Sequence, residues 1–312
     1  MKLSQPLRIL GALATVGATV TLLAWLAGRI LSDRYGWSQW LLWIPTPAAL
    51  AAVICGLLAA VRPEGMPGLR RRRLALWAAV GLAVGFYFGF IEHRLLTRAA
   101  SAEGLRIVHW TCDRDELPDD LLREVDCDLV ILTNAPHARR RKGFLESLSP
   151  DRQNITIFPF TLFSSLPILE ARPLICSDEL HVALFELDAA DVLGVTIRLF
   201  AIDLPSDPGR PRMAMARRLR RLLDEAAGPP PDIAIGDFNL TRGSAALKLI
   251  FPSLEHAYEQ SGAGYAASYP RRLPLYHLDH SLLGERLRAT GYTLLDPKSG
   301  RHRVQVVDVV KK

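Results

Sequence analysis

The sequence predicts a membrane-tethered α+β protein: a block of three transmembrane helices, then a soluble domain of two packed sheets with helices on the outside. Three observations predict it. The chain has 312 residues, long for one compact unit, and its mean hydropathy of +0.14 is high for a soluble protein. Leu, Ala, Val, Gly and Trp dominate up to about His93, and mixed globular composition follows from Glu103. The later part alternates apolar runs of strand length with a marked amphipathic helix.

Charge divides at the same place. Residues 1–94 hold ten Lys/Arg against three Asp/Glu, and residues 95–312 hold 28 against 29. The soluble part, residues 95–312, is therefore close to neutral. The basic excess lies on membrane flanks, where it sets topology, so the charge does not indicate nucleic acid as a partner.

Within residues 1–94, Ile9 to about Gly28 is an uncharged run long enough to cross about 30 Å of hydrocarbon. Its length, and the apolar runs after it, favour a span over a cleaved signal peptide. The second predicted span is Trp40 to Val61, with Pro45 and Pro47 near its start, where a neighbour must satisfy the freed carbonyls. Leu74 to Ile91 is the third, and its Gly81, Gly85 and Gly89 form a smooth face for a neighbouring helix. That face is the one hint about association; the oligomeric state is otherwise unspecified. Trp25, Trp37, Trp40, Trp43 and Trp77 lie near predicted span ends, as bilayer-interface anchors do.

Lys2, Arg8, Arg62 and Arg70 to Arg73 outnumber the basic residues on the other flank, Arg29, Arg34, Arg94 and Arg98. The first set belongs in the cytoplasm by the positive-inside rule. With three spans, the soluble domain then lies on the extracytoplasmic side of the cell membrane. The spans carry no buried ionisable residue of the kind that marks a transport pathway.

In the soluble part, strands are predicted at Leu105–Trp110, Cys127–Leu132, Asn154–Phe158, Leu180–Leu187, Val195–Ile202, Asp232–Ile235, Leu278–Leu283 and Val304–Val309. Helices are predicted at Leu117–Val125 and Arg212–Ala226, the latter with Leu219, Leu222 and Leu223 on one face and its arginines around it. The order suggests two sheets with helices outside.

The strongest chemical signal is Gly236-Asp237-Phe238-Asn239 directly after a strand. A glycine there permits a tight turn that projects a carboxylate and an amide. A carboxylate can orient water or hold a divalent cation, and an amide can donate to a phosphoryl oxygen. By itself such a turn is only a turn about half the time.

Together with the strand, helix, proline break and strand that precede it, and the Asp279- and His302-containing segments that follow, this motif resembles the endonuclease/exonuclease/phosphatase superfamily over roughly Leu105 to Lys311. The resemblance implies a four-layered α/β sandwich, Mg²⁺ or Mn²⁺ as cofactor and a phosphate ester as substrate, with the lipid bilayer as the protein's other partner. It assigns Asp237 to orienting the attacking water and to the metal, Asn239 to a phosphoryl oxygen, His302 to proton transfer and Asp279 to its support.

Several positions depart from the pattern. The Asp that usually precedes the terminal His is Arg301, which suggests a phosphate contact. A metal-site Asn of the first strand is Thr111 or Cys112, and a metal-binding Glu of the second is Asn134. The mid-domain His is Asp203, near the substrate. Two expectations follow: a membrane-anchored metal-dependent phosphoester hydrolase, or a domain of the same fold that binds without hydrolysing.

Of the four cysteines, Cys55 lies in an apolar run, and Cys112, Cys127 and Cys176 lack zinc-site spacing. Buried free thiols are expected, with one disulfide among the three as the alternative. Among the histidines only His277 and His280 approach metal-ligand spacing, and structural roles are the default. Arg139 to Lys142 reads as a solvated loop or an anion contact, and Asn154 to Thr156 as a strand start that matches a glycosylation acceptor.

Overall fold

The computed structural model describes residues 5–61, 67–97, 104–112, 125–134, 152–177, 179–226 and 228–312. The predicted helix Leu117–Val125, except its last residue, and the basic run Arg139 to Lys142 lie outside them. Helix α1 spans Gln5–Leu31, α2 Ser38–Leu42, α3 Thr46–Val61 and α4 Pro67–Phe86, the last continuing as a π-helical turn over Tyr87–Glu92.

Among the described residues, two segments are long and apolar enough to cross a membrane, Ile9–Leu31 and Gly68–Glu92, each with a mean hydropathy of 2.0. The second predicted span is not one helix. Pro45 lacks a donor and pushes Ile44 out of helical geometry, so the chain breaks between α2 and α3. Helix α3, with 16 residues, is about 24 Å long, short of a full hydrocarbon core. The carbonyls of Leu42 and Ile44 freed at the break accept from the Arg29 guanidinium at 2.9 and 3.2 Å. Arg29 thus sits in the last turn of α1 and not in a loop.

The glycine face of α4 is used only in part. A side chain at Gly81 would press on Val53 of α3, whereas Gly85 faces open space. A close contact between α3 and α4 rests on Gly56, where a Cβ would meet the Trp77 ring at 2.4 Å. Trp25 and Trp77 are therefore buried between helices and do not anchor at the bilayer surface, unlike the exposed Trp37 and Trp40.

The soluble domain is an α/β sandwich of two six-stranded mixed sheets. The first sheet has the order β11 (Leu287–Leu295), β12 (Val304–Lys311), β1 (Leu105–Thr111), β2 (Leu129–Thr133), β4 (Phe160–Ser164), β3 (Gln153–Ile157). The second runs β5 (Ile168–Ser177), β6 (Leu180–Ala189), β7 (Val195–Asp203), β8 (Ile233–Asp237), β10 (Asp279–Leu283), β9 (Glu255–His256). Each sheet has one parallel pair at its centre, β1 with β2 and β7 with β8.

Alternation along these strands sends Ile107, Leu129 and Ile131 of the first sheet against Phe185, Leu199 and Ile235 of the second. The other face of the second sheet is covered by the amphipathic helix α6 (Arg212–Ala226), through Met215, Leu219 and Leu223, and by α7 (Ala245–Ile250). Two short helices, α5 (Ala190–Leu193) and α8 (Ala257–Ser261), complete the described elements. Cys112 and Cys127 are buried and free, whereas Cys176, expected to be buried, is exposed and free.

The segment between α1 and α3 is docked on the soluble domain. Asp33 accepts hydrogen bonds from the backbone N–H groups of Ala245 and Ala246 and from the Ser244 hydroxyl, capping α7 from outside its own segment. Gln39 donates to the Pro208 carbonyl and accepts from the Arg212 amide. Arg242 reaches back to the carbonyls of Ile91 and Glu92.

Candidate active site

Three carboxylates stand in a row at one end of the second sheet. Asp203 ends β7, Asp237 ends β8 and Asp279 begins β10, and they are register partners, Asp203 with Asp237 and Asp237 with Asp279. Register neighbours project to the same face, so the row follows from strand pairing. Gly236 makes it achievable: at φ +154° its missing side chain leaves room for the Ile202 carbonyl, which a Cβ would meet at 1.9 Å.

His302 faces this row from the bend two residues before β12. Its Nδ1 donates to Asp279 Oδ2 at 2.8 Å, and its Nε2 lies 3.8 Å from Asp237 Oδ2. Thr111, at the end of β1, donates to Asp279 Oδ1 at 2.8 Å. Asp279 is fully buried, and these two contacts occupy both of its oxygens. It is a positioning residue. Thr111 borders the cavity but serves Asp279.

Asn239 adopts a left-handed backbone at φ +49°, which asparagine tolerates better than most residues. Its backbone N–H donates to Asp237 Oδ1 at 3.1 Å, and its side-chain Nδ2 donates to the Leu204 carbonyl at 2.8 Å. One amide hydrogen therefore remains for a ligand. Across the cleft, Asn134 follows β2, also with positive φ, and its Nδ2 donates to Asp203 Oδ2 at 3.1 Å.

The electrostatics follow from burial and crowding. Burial pushes the Asp237 carboxyl up to about 8; His302 opposes the rise, while Asp279 and Asp203 add to it. Asp203 is raised to about 6, mainly by burial, against the hydrogen bond from Asn134. Burial would also raise Asp279, yet the charge and hydrogen bond of His302 hold it down at about 2. Burial would lower His302, and the carboxylates of Asp279 and Asp237 overcome that and lift it to about 9. The site thus holds an imidazolium at neutral pH beside carboxylates it does not fully neutralise.

This donor set fits a divalent cation. Donor atoms of Asp237, Asp279 and His302 lie within 4.8 Å of one another; the His302 imidazolium is not itself a ligand, but Asp203, the register partner of Asp237, and Asn134 bring a second carboxylate and an amide oxygen to the same cavity. Carboxylate and amide oxygens are donors that Mg²⁺ and Mn²⁺ take. With Asp279 engaged by Thr111 and His302, the residues that would hold the ion are Asp237, Asp203 and Asn134.

These groups open into a cavity of about 1170 Å³. Arg301 borders it, as do Trp40, Trp43, Tyr269, Tyr276 and His181, which the sequence reading did not assign to the site. For the two tryptophans the signal available in the sequence was their position at the start of the second apolar run.

His109, His256 and His280 serve structure. His109 takes a hydrogen bond from Gln305 at Nδ1 and donates from Nε2 to Thr133, and burial lowers it to about 4. His256, His277 and His280 cluster with ring nitrogens within 4.8 Å. His256 Nδ1 accepts from the Tyr258 amide, so its Nε2 carries the hydrogen and donates to His280 Nδ1, whose Nε2 donates to the Leu240 carbonyl. That chain engages both nitrogens of His256 and His280 and braces the turn after Asn239.

No family model matches the chain, and no curated protein does. Solved structures do. A mannosyl-6-phosphatase from Bacteroides thetaiotaomicron matches at TM-score 0.50 and 12% identity, over 66% of this chain and 99% of that one. An endonuclease/exonuclease/phosphatase family protein from the same organism matches at TM-score 0.51 and 12% identity, over 67% and 98%. A conserved protein of unknown function from Enterococcus faecalis matches at TM-score 0.50 and 11% identity, over 67% and 100%. At this identity the likeness establishes the fold: the soluble domain has the endonuclease/exonuclease/phosphatase sandwich.

Proposed function

We propose that this chain is a membrane-anchored, divalent-cation-dependent phosphoester hydrolase whose catalytic domain lies outside the cytoplasm. The observation that carries the reading is that Asp203, Asp237 and the His302 imidazolium line one large cavity, with their register neighbour Asp279 buried and bonded to His302. Two positions that depart from the family pattern face each other, because Asn134 donates to Asp203. The carboxylate lost from one wall of the cleft is thereby supplied by the other.

Each residue then has a role set by its contacts. Asp237 Oδ2 faces the cleft, since Oδ1 holds the Asn239 backbone; once ionised, above about pH 8 or beside a bound cation that would lower its pKa, it orients water and takes its proton. The water oxygen bonds to phosphorus as the ester P–O bond breaks. His302 Nε2–H supplies the proton to the departing alcohol, with Asp279 fixing the ring through Nδ1. Asn239, through its remaining N–H, and the Arg301 guanidinium at the cavity wall stabilise the phosphoryl oxygens. A bound Mg²⁺ or Mn²⁺ supplies charge stabilisation to the phosphoryl group.

Anchoring is supported by the two apolar helices long enough to cross. For the three-span arrangement, α3 crosses as a short third segment with its N-terminal break sealed by Arg29. The basic residues before α1 and at the start of α4 then lie in the cytoplasm.

The test is phosphate release from a soluble phosphomonoester and a soluble phosphodiester by the full chain, with Mg²⁺ or Mn²⁺ and then with excess chelator. Cation-dependent release that the chelator stops supports the reading. Absence of release with cation binding retained makes the domain a binding module of the same fold.

A further inference from the structure

The wall of the catalytic cavity is not made by the soluble domain alone. Trp40 belongs to α2 and Trp43 to the break before α3, and both border the cavity that holds Asp237 and His302. The contact is built. The Trp43 and Tyr276 rings meet edge-on with centroids 5.0 Å apart, and the Tyr276 hydroxyl donates to the Trp43 carbonyl at 3.2 Å. Tyr276 pairs with Tyr269 in a β-bridge, and the Tyr269 ring lies 4.9 Å from the His302 imidazole. An aromatic track therefore runs from the membrane block to the proton donor.

The track is held in place. Gln39 ties α2 to Pro208 and Arg212, at and behind the cavity rim. Asp33 fixes the end of α1 to α7, and Arg242 fixes the end of the π-helical turn. The C-terminal ends of both long apolar segments thus meet the soluble domain beside the cavity. Trp40 remains half exposed at its mouth, with Phe158 exposed on the rim contributed by the first sheet. Tryptophan and tyrosine at the point where helices leave a bilayer occupy the headgroup level, where one end of the ring is apolar and the other wet.

We propose that the substrate is a lipid carrying its phosphoester at the headgroup, which reaches the site from the bilayer along Trp40 and Trp43 while its acyl chains stay in the membrane. This rests on the phosphoester-hydrolase reading. A cavity of about 1170 Å³ accommodates a headgroup and the first part of the chains, beyond what a simple phosphate ester fills. Hydrolysis as described above leaves the apolar alcohol in the bilayer and releases the phosphate to water. The aromatic wall binds the part of the substrate that does not react and positions the part that does.

The experiment uses the full chain reconstituted in phosphatidylcholine vesicles with Mg²⁺ or Mn²⁺. Turnover of phosphatidic acid and phosphatidylglycerol in the bilayer is compared with that of the soluble esters glycerol 3-phosphate and p-nitrophenyl phosphate. The expected result is a kcat/KM for at least one lipid about 100-fold above that for the soluble esters. Trp40→Ala should lower that ratio about tenfold, the equivalent of one lost aromatic contact. Among the described residues the Trp40 side chain makes no hydrogen bond and no ring contact, so this variant keeps the test independent of folding, and Trp43→Phe serves as a second. Soluble esters turned over as well as the lipids, or a ratio that Trp40→Ala leaves unchanged, overturns the lipid inference alone. Hydrolysis of neither class overturns it together with the hydrolase reading.

Discussion

Asp237 carries the largest conflict between stability and chemistry in the domain. Its folded pKa of about 8 lies above the value of an unfolded aspartate, so ionising it in the fold costs stability. The cost is absent below about pH 4, grows as the pH rises through the gap between the two values and levels off above about 8. Asp237→Asn is therefore expected to raise Tm at pH 7, by about 2–4 °C for each kcal/mol relieved, and to raise it little at pH 4. Differential scanning at the two pH values reads this directly, and a Tm that falls at pH 7 contradicts it. His302 has the opposite sign. Its raised pKa of about 9 stabilises the fold fully below about pH 6.5, and the contribution is lost as the pH rises through 9. His302→Gln leaves Asp279 buried without a cation and is expected to cost about 3–5 kcal/mol at pH 7, with a smaller deficit at pH 10, both measured by urea unfolding. Asp237, Asn239, Asp279 and His302 were legible from a motif and a resemblance. The pairing of Asn134 with Asp203 was not, because it joins β2 to β7 across the cleft and no local pattern reports a contact between sheets.

At the scale of elements, legibility followed periodicity. The amphipathic helix was read at its observed bounds, Arg212–Ala226, because Leu219, Leu222 and Leu223 share one face and the arginines surround it. Strands β2 and β8 were read from short apolar runs, and β1, β6 and β7 from mainly apolar stretches of strand length in which polar residues alternate in. Strands β5 and β11 were missed for the opposite reason. Strand β5 is a half-exposed edge that contains Pro173 and two register shifts, and β11 carries a bulge between Ala289 and Gly291. The α2–α3 break was visible as Pro45 and Pro47 but not its cure, which comes from Arg29 one helix earlier. Helix α7 has only six residues, and its N-terminus is capped by its own Ser244 and by Asp33 from the segment that follows α1. Asp33→Ala is expected to cost about 1–3 kcal/mol and to raise hydrogen exchange at the amides of Ala245 and Ala246. Unchanged exchange at those two amides contradicts the docking described for this segment.

For the molecule as a whole, the split between apolar block and neutral domain was written in composition, and the sandwich was written in the order of strands. How the two parts meet was not, since Ser32, Asp33 and Gln39 find partners more than 160 positions away. That junction makes the full chain the proper object of study, because part of the cavity wall belongs to residues before position 95. The central claim is that the carboxylate row and His302 hydrolyse phosphoesters. The most direct test compares phosphate release by the full chain with release by Asp237→Asn and His302→Gln, each in the same Mg²⁺- or Mn²⁺-containing bilayer preparation and each checked for folding by circular dichroism. Cation-dependent release by the parent chain, lowered about 10²- to 10⁴-fold in both folded variants, is the predicted result; release that survives Asp237→Asn unchanged contradicts the account.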